Sequence, residues 1–309
     1  MSDVTDTSLG IEAHERRGLL ADFFIRLVRE KPLGTAGGLV VLVLLFAGIF
    51  ADVLAPYPYA EIHLESILEG PSGQYLLGTD QLGRDVLSRI IHGARVSVIV
   101  GLSATTISVL GATALGGLCG FLGGKPDLIV QRFVDAWMAF PGLLLLLTVM
   151  SIVGQGLLQI IVVLGITGGI VGSRVVRGAV IGVKENMYFQ AAEVIGSSKW
   201  RTLIRHVLPN IMAVAIIIFS INIGGVIISE ASLSFLGFGL PLDIPSWGGM
   251  LSREGRLYME MAPWLGLWPG LCLTVVIYSL NMFGDALRDL LDPRLRGGGS
   301  LGAGAVGSV

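Results

Sequence analysis

Residues 136–173 read AWMAFPGLLLLLTVMSIVGQGLLQIIVVLGITGGIVGS, a stretch of 38 residues that contains no charged side chain. A helix needs about 20 apolar residues to cross the hydrocarbon core of a bilayer, so this stretch is long enough for two crossings. Gly154, Gln155 and Gly156 lie near its middle and predict the turn between them. The stretch is continuously apolar rather than alternating, which favours helices over the strands of a membrane barrel.

Four further charge-free stretches flank this one. They cover residues 32–51, 96–124, 207–229 and 261–284. Each is long enough for one crossing, which gives six transmembrane helices in total. The composition agrees, because only 14% of the residues are charged and the mean hydropathy is +0.77, whereas about a quarter of the residues of a soluble domain are charged. We therefore predict an all-α integral membrane protein.

The lysines and arginines predict the orientation of these helices. If both termini are cytoplasmic, sixteen of the 21 Lys and Arg residues lie inside. The other five, Arg84, Arg89, Arg95, Arg253 and Arg256, lie outside. The positive-inside rule favours this topology over its reverse. A charged leader of 31 residues precedes the first apolar stretch, so we expect a retained span rather than a cleaved signal peptide.

The chain divides into four predicted regions. Residues 1–31 form a cytoplasmic tail that ends in an amphipathic interfacial helix over 19–31. Residues 32–94 hold the first span and an extracytoplasmic segment, which we expect to be an ordered cap with short helices. Residues 95–292 form a five-helix core, and residues 293–309 form a flexible, Gly-rich cytoplasmic tail.

Glycines recur four residues apart along the predicted spans. These sets are Gly116, Gly120 and Gly124, then Gly165 and Gly169, then Gly178 and Gly182. Small residues at this spacing let two helix backbones approach closely in lipid, so we expect close helix contacts at these positions. Pro141, within the third span, predicts a kink.

A polar insert at residues 184–209 separates the fourth and fifth spans. Gly196 is a natural end for a first helix, and Ser197 or Ser198 can cap a second one. Apolar residues of this second helix recur at helical spacing: Trp200, Leu203, Ile204, Val207 and Leu208. The two helices predict a knob on the cytoplasmic face. The pattern alone leaves open whether the knob contacts a partner or is a plain interfacial loop.

Several kinds of chemistry are absent from the sequence. A P-loop needs Gly before Lys and Ser or Thr after it, whereas the one lysine that follows a glycine, Lys125, is followed by Pro126. No basic stripe favours a nucleic-acid partner, and no catalytic set indicates a membrane-embedded enzyme. A secondary carrier needs a polar ion site at mid-membrane, and the spans hold no central carboxylate. That class is therefore the less favoured alternative.

The insert resembles the coupling loop of ABC importer permeases. The resemblance is carried by Gln190-Ala191-Ala192, by Gly196, and by Val207-Leu208-Pro209-Asn210 at the end. Gln190 stands where the family usually has Glu. This difference removes one negative charge from the surface that would face an ATPase.

Four further motifs are similar to the C-type permease subunit of dipeptide and oligopeptide importers (the peptide/nickel family). They are Leu77 to Arg89 (LGTDQLGRDVLSR), Gly120 to Gly124 followed by Asp135 and Pro141, Glu230 to Gly239 (EASLSFLGFG) followed by Pro245-Ser246-Trp247-Gly248, and Asn281 to Asp289 (NMFGDALRD) followed by Asp292-Pro293-Arg294. Their order and positions make the resemblance specific, and it covers nearly the whole chain.

The resemblance implies a type I ABC importer permease fold in a prokaryotic plasma membrane. It implies a heterodimer with a second permease, two cytoplasmic ATPases and an extracytoplasmic substrate-binding protein. The chain itself would be non-catalytic and hold no cofactor, because its ATPase partners bind ATP and magnesium. Di- or oligopeptides are the expected substrates. Glutathione, a nickel chelate or another small solute is the alternative.

The resemblance also assigns two sets of site residues. The ATPase-coupling set is Gln190, Ala191, Ala192, Glu193, Gly196 and Trp200, with Trp200 and Leu203 anchoring the second helix of the insert to the bundle. The outer gate and binding-protein contact is assigned to Leu233, Phe235, Leu236 and Trp247. Aromatic residues of the outer loop could equally anchor the protein at the membrane interface.

Overall fold

The computed structural model describes residues 19–187, 189, 197–241 and 243–291, and these residues fold mainly into helices. The helices are α1 (Leu19–Glu30), α2 (Pro32–Ile49), α3 (Ala51–Leu54), α4 (Val86–Leu122), α5 (Gly124–Met138), α6 (Gly142–Val153), α7 (Leu157–Lys184), α8 (Lys199–Phe235), α9 (Trp247–Leu257) and α10 (Trp264–Leu291). The predicted tails over residues 1–18 and 292–309 lie outside the described residues.

Among the described residues, five helices are long and apolar enough to cross a membrane: α2, α4, α7, α8 and α10. A sixth crossing is formed when α5 and α6 are taken as one span, which is bent by 92°. Pro141 lies in the break between them, where its ring and its missing N–H prevent an unbroken helix. The turn predicted near Gly154 is confirmed, and its φ of +89° is one that glycine adopts without strain. The prediction of six spans is thus confirmed with one span broken.

The connections between the helices define two ends of the bundle. The connections from α2 to α4, from α6 to α7 and from α8 to α10 share one end, which we call the cap end. The connections from α4 to α5 and from α7 to α8 share the other, which we call the loop end. Helix α9 lies at the cap end and packs on α4, α8 and α10.

Helices α4 and α7 form the most extensive helix pair. A Cβ at Gly116 or Gly120 of α4 would collide with the backbone of α7, and a Cβ at Gly165 of α7 would collide with Ile107 of α4. The predicted close approach is confirmed at these positions. By contrast, a Cβ at Gly124, Gly178 or Gly182 would meet no described atom within 4 Å, so the expectation is wrong at these three positions within this chain.

Helix α4 begins well before the apolar stretch that predicted it. Its first residue is Val86, and the side chain of Asp85 caps it by accepting a hydrogen bond from the backbone N–H of Ser88, at 2.7 Å. The predicted boundary between residues 94 and 95 therefore falls inside a continuous helix. The ordered outer segment, which includes α3 and a short 3-10 turn (Leu64–Ser66), ends at Asp85.

The amino-terminal helix agrees with its prediction. Helix α1 ends at Glu30, and Pro32 begins α2 at a position where a missing backbone N–H costs nothing. Next to this junction, Lys31 pairs with Asp289 of α10 at 2.5 Å. This ion pair ties the amino-terminal part of the chain to the last helix at the loop end.

Candidate functional site

A buried network of charged side chains organises the cap end. Asp80 accepts hydrogen bonds from the backbone N–H groups of Leu82 and Arg84, both at 2.9 Å. Its second oxygen accepts one from Nε of Arg84 at 2.6 Å and lies 3.6 Å from Nε of Arg89. All three charged side chains are buried, so this carboxylate contacts two guanidinium groups away from water.

A second set of polar contacts ties the outer segment to the start of α4. The Ser88 hydroxyl accepts a hydrogen bond from the backbone N–H of Tyr57 at 3.1 Å. Asp52 accepts hydrogen bonds from Arg95, the shorter at 2.8 Å, and lies 3.3 Å from a ring nitrogen of His92. The Arg95 hydrogen bond, followed by the His92 contact, holds the pKa of Asp52 below its ordinary value.

Glu230 joins the end of α8 to the start of α9. This buried carboxylate accepts a hydrogen bond from the hydroxyl of Ser234 at 2.7 Å and a further one from Ser246. The next residue, Trp247, donates its indole N–H to the carbonyl oxygen of Ile90 in α4 at 3.0 Å. The loop between α8 and α9 is therefore fixed to two spans at the cap end.

A cavity of about 670 Å³, the cap-end cavity, lies beside this loop. Its floor is made of buried residues: Arg89, Ser234, Leu240, Ser246 and Met250. Its rim is made of exposed residues: Gln155, Phe235, Leu236, Arg256 and Leu257. The cavity thus joins α4, the turn after α6, the end of α8 and α9.

The four predicted gate residues lie close together but in two different environments. Phe235 and Leu236 are exposed on the rim of the cap-end cavity. Leu233 is fully buried in the cluster that includes Val100, and Trp247 is 2% exposed. Leu233 and Trp247 can therefore act at a gate only through the residues that they support. The gate assignment itself stays a prediction.

An apolar cluster organises the loop end. Phe189 is buried there against α7 and the first turns of α8, and its ring makes an edge contact with Phe121 of α4 at 6.4 Å. We call this set the loop-end cluster, and its buried members are Ala112, Val176, Val180, Phe189, Leu203, Val207 and Ile211. Phe189 and Leu203 lie on either side of residues 190–196 in the chain. Both flanks of that segment are thus held in one core.

The predicted coupling residues other than Trp200 lie outside the described residues. These are Gln190, Ala191, Ala192, Glu193 and Gly196. Trp200 is 66% exposed, so it does not anchor α8 to the bundle as expected, whereas Leu203 is buried. A π-helical segment at Leu203–Val207 interrupts the regular α-helical period on which that expectation relied.

Ion pairs fasten α5 to α7 near the loop end. Arg177 of α7 makes two hydrogen bonds to Asp127 of α5, both at 2.6 Å, and Arg174 pairs with Asp135. Lys184 at the end of α7 donates a hydrogen bond to the carbonyl oxygen of Phe121 at 3.0 Å. The part of α7 that leads into the polar insert is therefore tied to both α4 and α5.

Comparison with known proteins identifies the family. Residues 112–297 match the family model described as "Binding-protein-dependent transport system inner membrane component". The chain belongs to this family. Residues 18–71 match a second model, the N-terminal transmembrane domain of oligopeptide transport permease C, which agrees with the C-type resemblance.

Curated relatives of this permease align over most of their own length. A glutathione transport system permease protein of Pectobacterium atrosepticum is 38% identical, over 89% of this chain and 91% of the relative. A dipeptide transport system permease protein of Alkalihalophilus pseudofirmus is 35% identical, over 87% and 88%. An oligopeptide transport system permease protein of Bacillus subtilis is 34% identical, over the same shares. The permease is therefore a multi-pass membrane component of a transport system.

A second cavity of about 680 Å³, the central cavity, lies along the spans of the permease. It is lined mainly by α7 and α8, with one residue each from α4, α6 and α10. Most of its wall is apolar, and its polar lining residues are Ser108, Thr167, Asn222, Ser229 and Arg288. Among the described side chains, no group of three or more His, Cys, Asp or Glu residues could hold a metal ion.

Two residues of the permease that sequence reasoning did not single out occupy prominent positions. Phe189 directly precedes the coupling motif, and it follows Tyr188 in the polar insert. Arg256 lies on the rim of the cap-end cavity, and it was counted only for its contribution to topology. Neither position could be assigned from spacing alone, because each depends on contacts with distant helices.

Proposed function

We propose that this chain is one of two permease subunits of an ATP-driven, binding-protein-dependent importer of di- or oligopeptides. The observation that carries the proposal is the alignment with dipeptide, oligopeptide and glutathione permease proteins over nearly nine tenths of this chain. Glutathione is itself peptide-like, so it stays within the same chemical class of substrate.

The energy for transport comes from partner subunits in this proposal. The chain lacks a P-loop around Lys125, so ATP and magnesium belong to two cytoplasmic ATPases. The segment at Gln190, Ala191, Ala192, Glu193 and Gly196 contacts one of them. Because Phe189 and Leu203 hold both flanks of this segment in the loop-end cluster, its movement shifts α7 and α8. Those two helices also line the central cavity.

The orientation follows from the same assignment. The loop end faces the cytoplasm, and both termini are cytoplasmic, in agreement with the excess of Lys and Arg on that side. The cap end then faces the substrate-binding protein, with Phe235 and Leu236 exposed at the cavity rim. Alternating access between the cap end and the loop end would move solute by rigid-body motion of the two permeases.

Uptake by the complete importer, reconstituted in liposomes, tests the proposal. We expect accumulation of a tripeptide to require both ATP and the binding protein. Uptake that persists without ATP and follows an ion gradient would contradict the proposal and favour a secondary carrier.

The coupling segment is tested by Gly196→Asp. We expect this variant to insert into the membrane but to lose uptake, because an added carboxylate disturbs a close contact with the ATPase. Gly73→Asp is the matched control, since a Cβ at Gly73 of the outer segment meets no atom within 4 Å. Normal uptake by Gly196→Asp, with the ATPase still copurifying, would show that the coupling assignment is wrong.

A further inference from the structure

We propose that the cap-end cavity binds the carboxylate of a transported solute, with Arg256 as the group that selects it. This inference rests on the proposed function, since it concerns a solute released at the cap end. It adds to that function a site within the permease itself and a chemical class of ligand, a small molecule with a free carboxylate.

The cavity has the size and construction of a small-molecule site. Its volume of about 670 Å³ falls within the range of about 300–1,000 Å³ that is typical of ligand pockets. Its floor is buried and hydrogen-bonded, while Phe235, Leu236 and Leu257 give the rim an apolar surface. Such a site can bind the charged group of a ligand at one place, and the rest of its volume accommodates varied side chains of that ligand.

The exposed charge among the described lining residues is positive. Arg256 is exposed at the rim, Arg89 lines the floor, and no Asp or Glu is among the lining residues within the part of the chain that the structure describes. Two carboxylates contact residues of the floor, those of Asp80 and Glu230. Asp80 is shared between two arginines, and Glu230 is buried beneath the two serines that bind it. Neither of them lines the cavity.

The hydroxyl and amide groups of the cavity already donate hydrogen bonds to other groups of the permease. The hydroxyl of Ser234 donates to Glu230 at 2.7 Å, and that of Ser252 donates to the carbonyl oxygen of Gly249 at 2.8 Å. The amide nitrogen of Gln155 donates to the carbonyl oxygen of Gly237 at 2.6 Å. The guanidinium group of Arg256 forms no ion pair with any side chain that the structure describes. A guanidinium presents five N–H donors in a fork that matches a carboxylate.

The sign of the electrostatic potential in the cavity can be measured without a known ligand. A single cysteine is placed at the exposed rim position Leu257 after Cys119→Ala and Cys272→Ala have removed the native thiols. The complete importer is then labelled, in phosphatidylcholine vesicles, with an anionic (sulfonate) and with a cationic (trimethylammonium) methanethiosulfonate reagent. Leu64→Cys is the matched control, because Leu64 is also exposed at the cap end but does not line the cavity.

We expect Arg256→Gln to lower the ratio of the anionic to the cationic labelling rate at residue 257 by about 25-fold, because one unit charge at close range in water changes the rate of each reagent by about fivefold and in opposite directions. Arg256→Lys should keep most of the ratio, and the ratio at residue 64 should not change. An unchanged ratio at residue 257 in Arg256→Gln would overturn the proposal. If the ratio instead follows the phosphatidylglycerol content of the vesicles and not residue 256, the cavity is a lipid headgroup site and the proposal is wrong.

A second arm tests ligand recognition with trialanine and its carboxyl-terminal amide as probes. Trialanine should slow labelling at residue 257 more than the amide does, and Arg256→Gln should abolish this difference. Equal protection by both probes would overturn carboxylate recognition. The proposed function fails separately, since it would be contradicted by wild-type uptake that needs neither ATP nor the binding protein.

Discussion

The two ends of this permease are stabilised by different chemistry. At the cap end, buried charged groups such as Asp80, Arg89 and Glu230 bind one another and the backbone of the outer segment. At the loop end, the polar insert is held by an apolar cluster around Phe189 and Leu203 and by ion pairs that are partly exposed. Directional hydrogen bonds fix one geometry, whereas an apolar contact tolerates small sliding. The cap end is therefore held by directional contacts, and the insert at the loop end is held mainly by apolar packing.

The largest expected effect comes from removing the central carboxylate of the cap end. Asp80→Ala leaves Arg84 and Arg89 buried without their shared partner, which costs about 4 kcal/mol for a buried ion pair. Asp289→Ala is the matched control at the loop end, where the ion pair with Lys31 is partly exposed and worth about 0–1 kcal/mol. Thermal unfolding of both variants in detergent measures the contrast. Equal losses would show that the two ends do not differ in this way.

The next effect concerns the apolar anchor of the loop end. Phe189→Ala removes a buried ring from the loop-end cluster and should cost about 3 kcal/mol. Met187→Ala, two residues earlier at a position that is 87% exposed, should cost little. The measurement is thermal unfolding together with uptake at a fixed rate of ATP hydrolysis. If both variants behave alike, Phe189 does not hold the insert to the bundle.

A smaller effect tests the close contact between α4 and α7, the two spans that run side by side between the cap end and the loop end. Gly116→Ala places a methyl group against the backbone of Ser173, which forces α4 and α7 apart at a cost of about 2 kcal/mol. Gly117→Ala is a control of identical chemistry one residue away, since a Cβ there meets no atom within 4 Å. Thermal unfolding should separate the two variants. A stability for Gly116→Ala equal to that of the control would contradict the close helix contact.

The smallest effect is a pH dependence at the cap end. Because Arg95 holds the pKa of Asp52 below 3.8, the ionised carboxylate stabilises the fold above that pH. This contribution is lost as the pH falls through the lowered pKa. Arg95→Gln should raise the pKa of Asp52. The stability that this carboxylate contributes is then lost at a higher pH as the solution is acidified. Unfolding midpoints in a series of acidic buffers measure the shift, and an Asp52→Asn background should abolish it.

The sequence predicted the spans well because lipid imposes a simple rule on them. Charge-free stretches have the length of a bilayer, and Gly154 marks a turn that few other residues allow. The start of α4 at Val86 was missed, since Arg89, His92 and Arg95 interrupt the apolar stretch. Their partners lie in the last turns of α2 and in the outer segment, up to 47 residues away in the chain. No local pattern could reveal that these charges are balanced.

The candidate site was predicted less completely than the fold. Phe235 and Leu236 were placed at the outer surface by resemblance, and both lie on the rim of the cap-end cavity. Trp200 was assigned to an apolar helix face from its spacing, but the π-helical segment that follows it changes which side chains face the bundle. Cavities arise where distant helices fail to meet, and a sequence pattern carries no information about that space.

The break at Pro141 leaves a short helix, α6, beside the central cavity. Helix α6 has 12 residues, which span about 18 Å at 1.5 Å per residue. The hydrocarbon layer of a bilayer is about 30 Å thick. Helix α6 alone is therefore too short to cross that layer, and the sixth crossing depends on the bent pair of α5 and α6. Leu146 of α6 lines the central cavity, so the short arm of this broken span borders that space.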